Sequence, residues 1–441
     1  MWPYHPDLLS RPVPRYTSYP TAAEFTPEVG AAQLGEALDA IKPDQPLSLY
    51  VHIPFCQEIC WYCGCNTGRA NRAQRLGSYL DALSAEIHMV AKRLGGRGRV
   101  GRIAFGGGSP NAVSPVAFAR LVDELIVAFG CSSAPTLSIE IDPRSFGAGW
   151  DVTLAATGAS RVSLGVQTFD PAIQAAIGRV QPDTLILDTV ARLRRSGVGS
   201  INFDLMYGLP GQTRESLTQT LDRTLALRPE RIALFGYAHV PHLLPRQRRI
   251  AADNLPGQAE RFAMAALGHE RLVAEGYVPV GFDHFALPSD ALARAAQNGQ
   301  LRRNFQGFTE DDSGVLIGLG ASSISQFPDR LIQNEKNSGA YRDLCMAQQL
   351  TGARGVMRDA EDRMRALIIE DLLCMGSADI SELGDVDLID GALAPFLVRG
   401  LATLADGLLT IPPAGLPYAR SIAALFDRYR AVAPQRFSSA I

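Results

Sequence analysis

The sequence predicts an α/β protein: a partial or open (β/α) TIM-like barrel, preceded by an N-terminal leader and followed by a small, mainly helical C-terminal domain. Three observations lead there. Short apolar, β-branched runs alternate with amphipathic stretches between residues 46 and 290, the pattern of a parallel sheet joined by crossover helices. Polar or reactive residues sit just past nearly every run, at the strand ends where parallel barrels build their sites. Beyond about residue 350 the pattern changes to Leu-rich segments, EDRMRALIIEDLLC and SIAALFDRYRAV, with a short LLTIP run.

Residues 1–45 form a Pro- and aromatic-rich leader without a clear period, including RPVPRYTSYPTAAEF, and are expected near the site. The barrel spans 46–290, with strands LSLYVHI (47–53), VGRIAF (100–105), LSIEI (137–141), RVSLGV (161–166), INFDLMY (201–207) and RIALFGY (231–237), and VPVGF (278–282) as a candidate seventh. SPVAFARLVDELIVAF (114–129) reads as a helix because Ser114 suits the N-cap and Pro115 the first helical position. TLILDTVARLRRSG (184–197) repeats the idea and ends on a helix-stopping glycine. Residues 291–350 read as a connecting segment packed on the barrel, and 351–441 as the helical domain. There is no internal repeat and no low-complexity segment.

With 441 residues, 46% of them hydrophobic and 20% charged, the composition is that of a soluble globular protein. A formal net charge of −3 offers no long-range attraction to a polyanion, so no nucleic-acid partner is expected. No stretch reaches the roughly 18 uninterrupted apolar residues of a membrane helix, and MWPYHPDLLSRPVPRY lacks a signal-peptide pattern. A cytoplasmic location without membrane association is expected. Seven cysteines, four of them within residues 56–65 and the others alone at Cys131, Cys345 and Cys374, do not form a secreted disulfide framework and read as metal binding.

The four crowded cysteines lie in HIPFCQEICWYCGCNTG, directly after the first strand, with spacing C-x3-C-x2-C-x-C. Thiolates are soft ligands suited to iron–sulfur clusters or zinc. The span from Cys56 to Cys63 reaches about 25 Å at most when extended, so a loop easily gathers three sulfurs. Cys65, separated from Cys63 by one residue, is poorly spaced to ligate a second corner of the same cluster. Three thiolates on a 4Fe–4S cubane leave one iron open, and an open position distinguishes a reactive metal from a closed one. A structural zinc site and a closed electron carrier are the alternatives, although zinc usually takes paired C-x2-C units and no second pair exists. Phe55, Trp61 and Tyr62 either shield such a cluster from water or fill core.

The C-x3-C-x2-C motif resembles that of the radical S-adenosylmethionine enzymes. Together with RYTSYPTA, YVHIPFC, GGGSP, SIEIDPR, SLGVQTF, DLMYGLPGQT, YAHVP, DHFA, NFQG and the ending QRFSSAI, the chain resembles the oxygen-independent coproporphyrinogen III oxidases almost from end to end. The resemblance implies a cytosolic monomer that converts two propionates of coproporphyrinogen III to vinyl groups. It implies a 4Fe–4S cluster on Cys56, Cys60 and Cys63, S-adenosylmethionine as source of a deoxyadenosyl radical, and a reducing donor of the flavodoxin or ferredoxin type. The family's cofactor contacts fall on Tyr50, Tyr62, Gly107, Gly108, Ser109, Glu140, Gln167, Arg179, Asp204, Ala238 and Ile324. No residue receives a catalytic proton role, His52 and His239 included.

Those positions make chemical sense. Glycines 106–108 let backbone approach a ligand closely; Glu140 and Asp204 accept hydrogen bonds from hydroxyl or ammonium groups; Arg179 can pair a carboxylate in a fork. Tyr62 stands where the family commonly has Phe, and Ser109 where it often has Thr. A substrate with four carboxylates calls for cationic groups, with Arg15 and the run PRQRRI (245–250) as candidates, although Arg248 and Arg249 equally suit a solvated face. A heme-binding chaperone of the same superfamily is the nearest alternative, but such relatives typically lack the leader and the fourth cysteine.

Overall fold

The structure, a computed structural model, describes residues 2–70, 73–131, 133–384 and 386–430; the QRFSSAI ending lies outside these. Six strands, β1 (Pro46–Ile53), β2 (Arg99–Gly107), β3 (Thr136–Ile141), β4 (Ala159–Gln167), β5 (Ser200–Tyr207) and β6 (Arg231–Gly236), lie side by side in chain order and run parallel. Each matches an expected strand to within two residues at either end. Crossover helices α1 (Ala73–Leu94), α2 (Pro115–Ala128), α3 (Trp150–Thr157), α4 (Asp183–Arg195) and α5 (Arg214–Leu227) join them, and α6 (Gln258–Ala274) follows β6.

Side-chain alternation sorts the two faces. In β1, Leu47, Leu49, Val51 and Ile53 are buried in the core that also holds Ile87 and Val90 of α1 and Phe118 and Leu121 of α2. The opposite parity is polar: Ser48 and Tyr50, Arg102, Ser138 and Glu140, Arg161 and Ser163, Asn202 and Asp204, and Arg231 line one inner chamber of about 350 Å3. Fully buried parallel strands usually read as continuous apolar runs; these read as mixed because their inner face surrounds a polar space. Local signals hold as well. Ser114 caps α2 by accepting the Ala117 N–H at 3.3 Å, and Gly197 after α4 has φ +83°.

The sheet extends past the barrel strands at both edges. β7 (Val278–Val280) and β8 (His284–Ala286) add on antiparallel beyond β6. A hairpin of β9 (Arg302–Asn304) and β10 (Gly307–Thr309) follows, and then β11 (Val315–Leu319) pairs parallel with the outer side of β1. Antiparallel β12 (Ile324–Phe327), β13 (Arg330–Asn334) and β14 (Gly352–Met357) complete an open, twelve-stranded sheet. Residues 291–350 therefore do more than connect and pack: they supply three strands of the sheet, because every residue of β11 is buried against β1. The part after 351 opens with β14 and continues with helices Ala360–Cys374 and Val386–Val398 and a small sheet of Ser377–Asp379, Thr403–Ala405 and Leu408–Thr410.

Two features position the site. At the base of the chamber Glu310, just past β10, pairs with Arg102 of β2 at 2.7 Å, with Arg161 of β4, and with Arg231 of β6 at 3.6 Å. The leader is tied down across the other side: Arg303 donates to the carbonyls of Arg15 and Tyr16 at 3.0 and 2.9 Å, and the Tyr16 hydroxyl donates to Asp427 at 2.9 Å.

Candidate active site

The cysteine loop leaves β1 and is closed by a two-residue parallel bridge between Phe55–Cys56 and Gly68–Arg69, in which the Gly68 N–H donates to Pro54 O and the Ala70 N–H to Cys56 O, both at 2.8 Å. It docks on the turn after β4. The Trp61 N–H donates to Ile177 O at 3.0 Å, and the indole lies so close over Gly178 that a Cβ there would come within 2.7 Å. Trp61 and Tyr62 both pack on the cluster of Ile173, Ile177 and Tyr237. They shield the loop and fill core at once.

Inside the loop the electrostatics converge on Cys60. Its buried sulfur accepts from Arg144 and Arg179, each at 3.2 Å. Both guanidiniums also grip Asp142: Arg144 at 2.7 Å, Arg179 through two nitrogens at 3.2 and 3.3 Å. Burial pushes the Asp142 carboxyl up, but Arg179 and Arg144 outweigh it and hold the group below its ordinary range. Two cations over one carboxylate leave a positive charge beside the Cys60 sulfur. Burial, then the neighbouring Cys63, Asp142 and Cys60, push the Cys56 thiol up to about 12. A hydrogen bond from Cys65 draws Cys63 down to about 6 against burial.

These residues fit a cluster. Cys56, Cys60 and Cys63 share one basin, since each of the other two acts on Cys56, and two arginines donate to the Cys60 sulfur. They do not meet at a point: among the described residues no three His, Cys, Asp or Glu side chains converge as ligands of a single ion would. A cubane wants them apart, each thiolate on a different iron. Cys65 is exposed, and its N–H donates to Cys63 Sγ at 3.4 Å.

Beside the loop, the end of β2 forms a cradle. A Cβ on Gly106 would lie 2.7 Å from Glu140 Oε1 and 2.9 Å from the Tyr50 hydroxyl; on Gly107, where φ is +109°, it would lie 2.4 Å from the His52 ring; on Gly108, 2.5 Å from Phe55 O. Only glycine fits this run. The Gly107 N–H donates to Glu140 Oε2 at 3.2 Å. Enclosure in the chamber, and then Asp204, raise the Glu140 carboxyl to about 7. Asp204 is also raised by burial, while Ser163 and Asn202 donate to it at 2.9 and 2.8 Å. His52, lowered to about 4 by burial, is a neutral neighbour of the Tyr50 hydroxyl at 3.2 Å.

The remaining expected positions lie at or just past strand ends. Gln167 ends β4 at φ +66° and is buried. Ile324 begins β12, its backbone pressed so close to Gly318 that a Cβ there would meet it at 2.8 Å. Ala238 follows β6, and a residue not singled out from the sequence ties it to the loop: the buried Gln247 amide donates to both Ala238 O and Tyr62 O at 3.0 Å. Two expectations change in detail. The Ser109 hydroxyl turns inward, donating to Asn111 and accepting the Asp142 N–H, so position 109 faces a ligand with backbone only. The carboxylate in the Arg179 fork is the protein's own Asp142. Arg144 was hidden because a charge two residues past a strand-end Asp looks like surface. Arg248 and Arg249 are exposed, with Arg249 5.8 Å from the Trp61 ring.

Known proteins are similar to this chain in sequence and fold. The family model of the radical SAM superfamily matches residues 50–224. An oxygen-independent coproporphyrinogen III oxidase of Bradyrhizobium diazoefficiens is 40% identical over 97% of both chains, and one of Escherichia coli K12 is 36% identical over 94% of this chain and 93% of its own. The solved coproporphyrinogen III oxidase of Escherichia coli, described as a radical SAM enzyme, is similar with a TM-score of 0.89 at 35% identity, covering 97% of this chain and 99% of that one.

Proposed function

This chain belongs to the oxygen-independent coproporphyrinogen III oxidases of the radical SAM superfamily, and from that membership we infer which of its residues do the family's work. The enzyme is an oxidoreductase of heme biosynthesis that oxidatively decarboxylates coproporphyrinogen III, turning two propionates into vinyl groups. When bound, the 4Fe–4S cluster and S-adenosylmethionine supply the deoxyadenosyl radical that takes hydrogen from the propionate carbon β to the macrocycle.

Cys56, Cys60 and Cys63 hold the cluster. The observation that carries this reading is Cys60 under Arg144 and Arg179, in the same basin as Cys56 and Cys63. Gly107, Gly108 and the backbone of Ser109 receive the methionine end of the cofactor, because positions 107 and 108 carry no side chain to keep a ligand from the backbone. Glu140, whose carboxyl is raised to about 7, and Asp204 accept its ammonium and ribose hydroxyl hydrogens. Tyr50, Tyr62, Gln167, Ala238 and Ile324 enclose it and keep water out. Arg179 acts through Cys60 and Asp142. Cys65 stays off the cluster.

The chain works as a monomer in the cytoplasm, reduced by a donor of the flavodoxin or ferredoxin type. Seven free cysteines suit a reducing compartment, and no described helix is long and apolar enough to cross a membrane. The test is anaerobic reconstitution with iron and sulfide, then reductant, S-adenosylmethionine and coproporphyrinogen III, with products read by mass spectrometry. Deoxyadenosine together with a product lighter by two carboxyl groups is expected. Deoxyadenosine without decarboxylation would remove the substrate assignment.

A further inference from the structure

A second, smaller cavity of about 60 Å3 lies where the leader, the end of β6 and the C-terminal region meet. Gly236 and Ala238 form part of its wall, so it adjoins the side proposed for the cofactor. Its charged lining is lopsided: Arg15, Arg261 and Arg420 face it, with Asp283 as the acidic group, and Asp283 is already held by His284 at 2.6 Å. Arg15 donates to Gly236 O at 2.9 Å and Arg261 to Tyr237 O at 2.6 Å. Those acceptors are neutral. Arg261 Nε is buried with no hydrogen-bond partner among the described residues, a costly state for a charged donor. Arg420 lies over the Phe282 ring at 5.6 Å. Burial, and next the repulsion of Arg15, draw its guanidinium down to about 10.

Such a cavity is built for an anion that neutralises converging guanidiniums. Its size defines how much of a ligand enters. A volume of about 60 Å3 takes roughly four or five water-sized spheres, enough for a short carboxylate arm and far below the several hundred Å3 that a whole macrocycle requires. Trp2, Phe282 and Phe285 supply the apolar walls along which the methylenes of such an arm would pack.

On the basis of the function inferred above, we propose that this cavity anchors one propionate of coproporphyrinogen III that is not being decarboxylated, its carboxylate held by Arg261, Arg420 and Arg15. The anchor fixes which edge of the macrocycle lies against Ala238 and the cofactor, so these arginines are substrate-positioning residues. Arg15 gives the leader a direct part in binding.

The full-length, cluster-loaded chain is titrated anaerobically with coproporphyrin III, a stable tetracarboxylate, and with its uncharged tetraamide, by fluorescence quenching. Arg261→Gln and Arg420→Gln are each expected to weaken the tetracarboxylate by about tenfold to a hundredfold, and Arg15→Gln by about tenfold. The tetraamide should respond by less than threefold. Folded variants that bind the tetracarboxylate within twofold of wild type overturn the pocket alone. A wild-type chain that binds no coproporphyrin overturns the functional reading and the pocket with it. If a glutamine variant does not fold, Arg261→Lys decides: losing the fork should still cost at least threefold, and unchanged affinity counts against the proposal.

Discussion

Arg179 meets Asp142 through two nitrogens, at 3.2 and 3.3 Å, and gives one of the same nitrogens to Cys60 Sγ at 3.2 Å. One buried cation thereby links the strand end of β3 to Cys60, a proposed cluster ligand. Replacing Arg179 by Met leaves Asp142 with Arg144 alone and takes a donor from Cys60. Breaking a buried pair costs about 3–5 kcal/mol, and losing the partner of a metal ligand typically weakens metal affinity about 10–100-fold. Arg179→Met should therefore lower both the melting temperature and the iron and sulfide retained per chain after gel filtration. Arg179→Lys should recover part of the stability and little of the retention, because one ammonium cannot serve both acceptors.

Cys65 and Cys63 are neighbours with different fates. Cys63 accepts the Cys65 N–H at 3.4 Å and lies in the shared basin, whereas the Cys65 side chain is exposed. Cys65→Ala keeps that N–H and removes only the thiol's own hydrogen bond to Cys63, so the variant should still take up iron and sulfide to near the wild-type level. Cys63→Ala should lose most of both. Equal loss in the two variants would make Cys65 a ligand.

Much of this was legible in the chain. Six strands were visible as apolar runs between turn signals, and the cysteine spacing with GGGSP placed the reactive loop beside the cradle. What escaped was set by contacts distant in sequence. Nothing local to Val315–Leu319 says that it will lie beside β1, from which all the other barrel strands separate it in sequence. The buried carboxylate of Glu86, which accepts from Gly320 N at 2.6 Å, Tyr341 OH at 2.7 Å and Asn334 Nδ2 at 2.9 Å, reads in sequence as one more helix-surface charge. Arg144, Arg261 and Gln247 were hidden for the same reason: a polar side chain shows its partner only in three dimensions.

The cradle gives a sharp steric test. Gly107 combines φ +109° with a virtual Cβ 2.4 Å from the His52 ring, and Gly108 would press a Cβ to 2.5 Å from Phe55 O. Backbone strain and overpacking each cost about 1–3 kcal/mol, so Gly107→Ala, which meets both, should destabilise by about 2–5 kcal/mol in urea unfolding, and Gly108→Ala, which meets only the overpacking, by about 1–3 kcal/mol; both should weaken S-adenosylmethionine binding. Gly101→Ala, on the same strand with open space at its virtual Cβ, is the control and should stay within about 0.5 kcal/mol of wild type.

Glu310 ties the base of the chamber to β2, β4 and β6 and carries a defined pH signature. Burial alone would raise its carboxyl, but Arg231, Arg161 and Arg102 more than offset this and bring it down to about 2, from an ordinary value of 4.5. A carboxylate depressed on folding adds stability that is fully present above the unfolded value and disappears as pH falls through the folded one. The window therefore runs from about pH 4.5 down to pH 2. A shift of this size corresponds to about 3 kcal/mol as an upper figure, and removing the charge also takes the carboxylate from Arg161, while Arg231 keeps Asp290 and Arg102 keeps Asp311. Glu310→Gln should cost about 3 kcal/mol in denaturant unfolding at pH 6, and the gap to wild type should close steadily between pH 4.5 and pH 2. A gap that stays constant over that interval would show that Glu310 acts by packing and not by its charge.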